Sequence, residues 1–181
     1  MSLSEDLEAA AAAAKLAAPG EELGGVVAVE TLGRRVYLCA FRAGEAHAWL
    51  ALDGESRPIT DMRLVREAAS LAALCEVAEE SAGGGDLPEL RAQLAELRER
   101  EAPEGIEAAE VAAAALAELV SQEPRLASGE YLDAIGVAAR RLEDALGAAA
   151  GSPFAAAMQS AVGTVEALTA EIERTYKLPL P

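Results

Sequence analysis

Lysine is almost missing from this chain: Lys15 and Lys177 are the only two in 181 residues, against 13 arginines and 31 acidic side chains. The formal net charge is −16. A surface of that sign repels a phosphate backbone and lacks the cations that displace its counterions, which excludes nucleic acid as a partner. Anionic membrane surfaces are excluded on the same ground. Histidine occurs once, at His47, and cysteine twice, at Cys39 and Cys75. These are too few and too far apart for a zinc spacing, and too few for a disulfide framework. No metal or other cofactor is expected. The opening residues carry Glu5, Asp6 and Glu8 instead of a basic segment and an apolar run, so no export signal is expected and the cytoplasm is the expected compartment. The longest uncharged stretch, 145–165, is broken by Gly147, Gly151, Ser152, Pro153 and Gln159, so it is not a membrane span.

Aromatic residues make up only 3% of the chain, while 44 positions are alanine. Burial therefore falls to Leu, Val and Ile, and alanine contributes helix propensity and close backbone approach. Tyr37, Phe41 and Trp49, half of all the aromatics, gather in one segment together with Cys39 and His47. Three β-rich runs, 25–31, 34–42 and 45–52, cover that segment, with Leu32-Gly33 and Ala43-Gly44 as two-residue turns between them. Those turns set Val29 opposite Val36, Val27 opposite Leu38 and Glu30 opposite Arg35. In the second hairpin they set Phe41 opposite Ala46, Cys39 opposite Ala48, Leu38 opposite Trp49 and Ala40 opposite His47. One face then collects Val27, Val29, Val36, Leu38, His47 and Trp49, and the other Val26, Tyr37, Cys39, Phe41, Leu50 and Leu52. Both faces are apolar, so both need cover from helices or from a partner subunit.

The rest reads as helix. Ser2-Leu3-Ser4-Glu5 is a capping-box pattern, and Pro19-Gly20 ends the helix it opens. Thr60 or Asp61 caps a long helix with Leu64, Val65, Ala68, Leu71, Ala72, Cys75 and Val77 on its apolar face. After the glycines 83–85, Leu87, Leu90, Leu94 and Leu97 form a leucine seam. Ile106, Ala109, Ala113, Leu116 and Val120 stripe the next helix. Leu132, Ile135, Ala139, Leu142 and Leu146 stripe another, with Ser128 as its cap. Ser152 and Pro153 open a last one striped by Phe154, Met158, Ala161, Val165, Leu168 and Ile172. The fold class is α+β and predominantly helical: a three-stranded antiparallel meander flanked by helices, then a bundle of about four helices. The expected division is a helix–meander–helix unit over 1–82 and a helical bundle over 86–181, hinged at 81–85. Residues 24–60 are electrically neutral, with four acidic and four basic side chains, so all the net charge lies in the helical parts.

Candidate chemistry is sparse. Cys39 and His47 are the residue types of a nucleophile and its base, but the expected register projects them from opposite faces. Glu76, Glu79 and Glu80 share one helix face and could hold a divalent cation, or form a solvated acidic face. The glycines at 83–85 lack the Lys-Ser/Thr of a phosphate-binding loop and follow a helix instead of opening one. The uncharged stretch is the remaining feature, and Ala149, Phe154, Ala157, Met158 and Ala161 are its candidate interface residues. The expected function is non-catalytic, acting through protein–protein interaction or self-assembly, with a homodimer as the expected form. The alternative is a small-molecule-binding module whose apolar pocket, between sheet and helices, would be lined by Tyr37, Phe41, His47, Trp49 and Tyr131.

Overall fold

A computed structural model describes residues 2–43, 46–83, 86–100 and 105–149. In chain order its elements are α1 (Leu3–Ala17), β1 (Glu22–Thr31), β2 (Arg34–Ala43), β3 (Ala46–Leu52), α2 (Met62–Gly83), α3 (Asp86–Arg100), α4 (Ile106–Ser121), β4 (Leu126–Ser128) and α5 (Gly129–Ala149). The fold is α+β and mostly helical, with a four-stranded mixed sheet ordered β3-β2-β1-β4. Three of its strands form the expected antiparallel meander. The fourth, β4, pairs parallel to β1 through Ala28–Leu126, Val29–Ala127 and Glu30–Ser128 and corrects the three-stranded expectation. A three-residue strand is too short to announce itself by alternation, and its partner is a hundred positions away. The fourth expected helix after Gly85, striped by Phe154 to Ile172, lies outside the described residues.

The chain divides into two compact units, one of Met1–Cys75 with Glu123–Tyr131, the other of Glu76–Gln122 with Leu132–Pro181. Of the expected hinge, residues 81–83 belong to α2, while 84 and 85 lie outside the described residues.

In the first unit, Ser2 caps α1 by accepting from the Glu5 N–H while the Glu5 side chain accepts from the Ser2 N–H, a completed capping box. Leu32 and Gly33 both have positive φ, as a type I′ hairpin turn requires, and this turn locks Val29 opposite Val36 and Glu30 opposite Arg35. The second hairpin departs from expectation. Ala43 pairs with Ala46, so the connecting residues are 44 and 45, outside the described residues, and every pair moves by two: Phe41 faces Ala48, Cys39 faces Leu50, Leu38 faces Ala51 and Arg42 faces His47. A lone glycine can occupy either place of a two-residue turn, and local propensity does not choose between them. The displacement is even, so each side chain keeps its face.

Helix α1 lies across β1, β2 and β3. Its Ala10 and Ala14 are fully buried against Ala28, Tyr37, Cys39, Phe41 and Leu52, with Leu3, Leu7, Leu23, Val26 and Leu50 at the margin. Alanine at those two helix positions lets the aromatic side chains of the sheet reach the helix backbone. Beyond the sheet, Asp61 opens α2, its Oδ1 accepting from the N–H groups of Arg63 and Leu64 at 3.0 and 3.4 Å. Ser128 closes β4 and caps α5, its Oγ accepting from the Tyr131 N–H at 3.1 Å.

In the second unit α3 and α4 pack together. The leucine seam of α3 (Leu87, Leu90, Leu94, Leu97) is buried, as are Ile106, Ala109, Ala113 and Leu116 of α4 and Leu132, Ile135, Ala139, Leu142 and Leu146 of α5. On α2 the buried stripe is Leu64, Ala68, Cys75, Ala78 and Ala82; Val77, expected on that face, is exposed.

Candidate functional site

The two faces of the sheet differ. The α1 face holds Tyr37, Cys39 and Phe41, all buried. At its margin the Arg35 guanidinium donates to Asp6 of α1 at 3.2 Å and lies 3.8 Å from Glu30. This is the expected Glu30–Arg35 cross-strand pair, extended to the helix. The Tyr37 phenol joins the group: its oxygen accepts from the Arg35 guanidinium and raises that group's pKa, while burial pushes the phenol's own value up against the opposing pull of Arg35. Burial also pushes the Cys39 thiol up to about 11, which leaves it protonated and poorly nucleophilic near neutral pH.

On the opposite face Val29, Val36, Leu38 and Ala51 are buried, but the cover stops short. Trp49, the chain's only tryptophan, is 63% exposed, and Val27 on the same face is 42% exposed. Trp49 pairs with Ala40, which in turn pairs with Gly25, so the open area runs from the edge strand across β2 to the bulge at Gly24 in β1. No charged side chain occurs anywhere in β3, Ala-His-Ala-Trp-Leu-Ala-Leu.

The other candidates scatter. Tyr37 and Phe41 come together under α1, whereas Trp49 stands on the far face, so these three do not line one pocket. Tyr131 is half-buried in the first turn of α5. His47 pairs with Arg42 in place of the expected Ala40, and its side chain lies outside the described residues. Cys39 is flanked by Val26 and Leu50 in the sheet. Ala149 ends α5, and Phe154, Ala157, Met158 and Ala161 lie outside the described residues. Glu76, Glu79 and Glu80 are carried by α2, and among the described residues no group of three or more His, Cys, Asp or Glu could hold a metal ion. Among the described residues no helix is long and apolar enough to cross a membrane.

One feature escaped the sequence reading. A groove of about 850 Å³ runs along α3 and α4, floored by Ala92, Ala95 and Ala114. Arg98 spans its edge to Glu110 at 2.9 Å and Glu107 at 3.5 Å, two acids one turn apart on α4. Val111 stands in the groove 70% exposed. The signal was present in the sequence, since Val111 is a bulky apolar residue off the stripe that begins Ile106, Ala109, Ala113.

Compared with models of protein families, with curated proteins and with solved structures, the chain matches none of them.

Proposed function

We propose that this chain is a non-catalytic protein of the cytoplasm that works by associating with protein, and first of all with a second copy of itself. The observation that carries the reading is Trp49, the only tryptophan, standing largely in water on a sheet whose other face buries its aromatic residues under α1. Tryptophan is enriched where interfaces concentrate their energy, and leaving one exposed forgoes burial worth about 2 kcal/mol or more. The neutral strand region supports the same reading, because copies that each carry −16 repel one another least where no net charge sits. Cytoplasmic residence is supported by Cys39 and Cys75, neither of which forms a disulfide. The small-molecule alternative has less behind it, since its aromatic lining divides between the two faces of the sheet.

Size-exclusion chromatography with light scattering tests the proposal. The expected mass at micromolar concentration is twice the chain's 18.6 kDa, falling to one chain for Trp49→Lys. A single-chain mass for the unaltered protein at every concentration would contradict it.

A further inference from the structure

The exposed face ends in an exposed edge, and the backbone there prescribes how a second copy can attach. We propose that two copies join through antiparallel pairing of β3 with β3, the two-fold axis passing through Ala48, so that two four-stranded sheets become one. This rests on the self-association reading above and specifies its geometry.

The sheet order leaves β3 and β4 as the two edges. Natural edge strands are shielded from further pairing by lysine, proline, inward charges, bulges or brevity. Strand β4 is shielded by brevity, with three residues. Strand β3 has seven residues, none of them charged and none of them proline, and its pairing with β2 runs from Tyr37–Leu52 to Ala43–Ala46 without a bulge.

One end of the β3 edge is already taken. The Ile59 N–H donates to the Ala51 C=O at 2.8 Å and the Asp53 N–H to the Arg57 C=O at 2.9 Å, closing a bridge of Leu52 with Pro58. Residues 51 and 53 therefore turn their backbone groups away from β2. Because the direction alternates along a strand, Trp49 and His47 do the same, while Ala48 and Leu50 bond inward to β2. Among the described residues, the outward N–H and C=O groups of His47 and Trp49 have no backbone partner. That makes four polar groups in a row beside an apolar surface.

The bridge at 51 and the start of the strand at Ala46 together select the register. An axis through Trp49 would set 47 against the partner's 51, whose carbonyl already accepts from Ile59. An axis through His47 would set 49 against the partner's 45, which lies outside the strand. An axis between 48 and 49 would set an outward residue against an inward one. With the axis through Ala48, 47 pairs with the partner's 49 and 49 with the partner's 47, so all four outward groups of each copy bond within the strands, and the pairing ends with Ala46 opposite the partner's Leu50, short of the bridge. The occupant is a second copy for two reasons. The edge is self-complementary about that axis, and it is the uncharged border of the neutral part of a chain that otherwise repels its own kind.

On the axis, Ala48 meets the partner's Ala48 as a non-hydrogen-bonded pair, with Cα atoms about 4.5 Å apart. A disulfide fits that separation. The test is Ala48→Cys in the full-length protein under mild oxidation, with Leu50→Cys as the comparison and circular dichroism to check folding. Ala48 is exposed, and the native Cys39 and Cys75 are buried. The expected result is near-complete disulfide-linked dimer for Ala48→Cys and little for Leu50→Cys. A second variant, Ala48→Lys, sets two ammonium groups against each other and is expected to weaken dimerisation about tenfold. A dimer by light scattering that neither links through Ala48→Cys nor weakens in Ala48→Lys would overturn this geometry and leave self-association standing. A protein monomeric at every concentration would overturn both.

Discussion

The two faces of one sheet are built from similar residues and reach opposite ends. On the α1 side, Tyr37, Phe41 and Leu52 press against Ala10 and Ala14, and every large apolar group there is withdrawn from water or at the margin of the cluster. On the other side Val29 of β1 and Ala51 of β3 are buried, yet two residues along their strands Val27 and Trp49 are open. Hydrophobicity alone does not separate them, since Trp49 has more apolar surface than Tyr37. The difference lies in cover: α1, seated on its alanines, lies across three strands on one face, whereas on the other burial ends before Val27 and Trp49, and the edge strand β3 retains both an apolar side chain and unpaired backbone.

The comparison breaks most readily at its sealed half. Phe41→Ala removes a ring from the α1 core and is expected to cost about 3–5 kcal/mol of folding stability, whereas Trp49→Ala changes the stability of a single subunit by within about 0.5 kcal/mol. Urea titrations at submicromolar protein concentration measure both. Equal losses would mean that the two faces are equivalent after all.

Alkaline pH probes the same core more gently. Burial holds the Cys39 thiol above its ordinary value of 9.0, up to about 11, and raises the Tyr37 phenol in the same sense. The folded state therefore favours the protonated forms. The thiol's contribution is complete below pH 9 and is lost as pH rises through about 11, so the urea midpoint is expected to fall across that interval. Cys39→Ser removes one titrating group and should flatten part of the fall. A midpoint level from pH 9 to 11 would show the thiol to be open to solvent.

The smallest effect concerns the turn that fixes both faces at once. Leu32 adopts φ 51° with its side chain 64% exposed, a left-handed conformation that costs a β-carbon-bearing residue about 1 kcal/mol and gains no packing in return. Leu32→Asn is expected to stabilise the hairpin by about 0.5–1 kcal/mol, read as a raised melting temperature. A lowered one would show that Leu32 is held by contacts the turn geometry does not require.

Much of this was legible in the residues, and the pattern of what was not has physical causes. The first hairpin register followed from placing Leu32-Gly33 at the turn, where the structure has them, and so did the Glu30–Arg35 pair. The second slipped by two because Gly44 fits either turn position; alternation survived the slip, which is why the division into faces held. Ser2 and Asp61 cap as their types predict, since capping is decided within a few residues. Strand β4 was hidden because a parallel pairing of Leu126–Ser128 with β1 is a long-range event written in no local period. The exposure of Trp49 was hidden for a related reason: alternation assigns a face to a residue but says nothing of how much of that face is covered. Val77 and Ala78 exchanged roles on α2 because a wide alanine-rich stripe defines its own centre poorly.

Trp49 is the chain's single tryptophan, so its fluorescence reports the contested surface without interference from another indole. The most direct measurement is its emission maximum and its quenching by iodide as the protein is diluted from tens of micromolar to nanomolar. If the open end of the sheet is where two copies meet, emission shifts to the red and quenching rises on dilution, along the same curve that light scattering gives for the loss of dimer. A water-exposed spectrum that stays constant over the whole range would contradict the account.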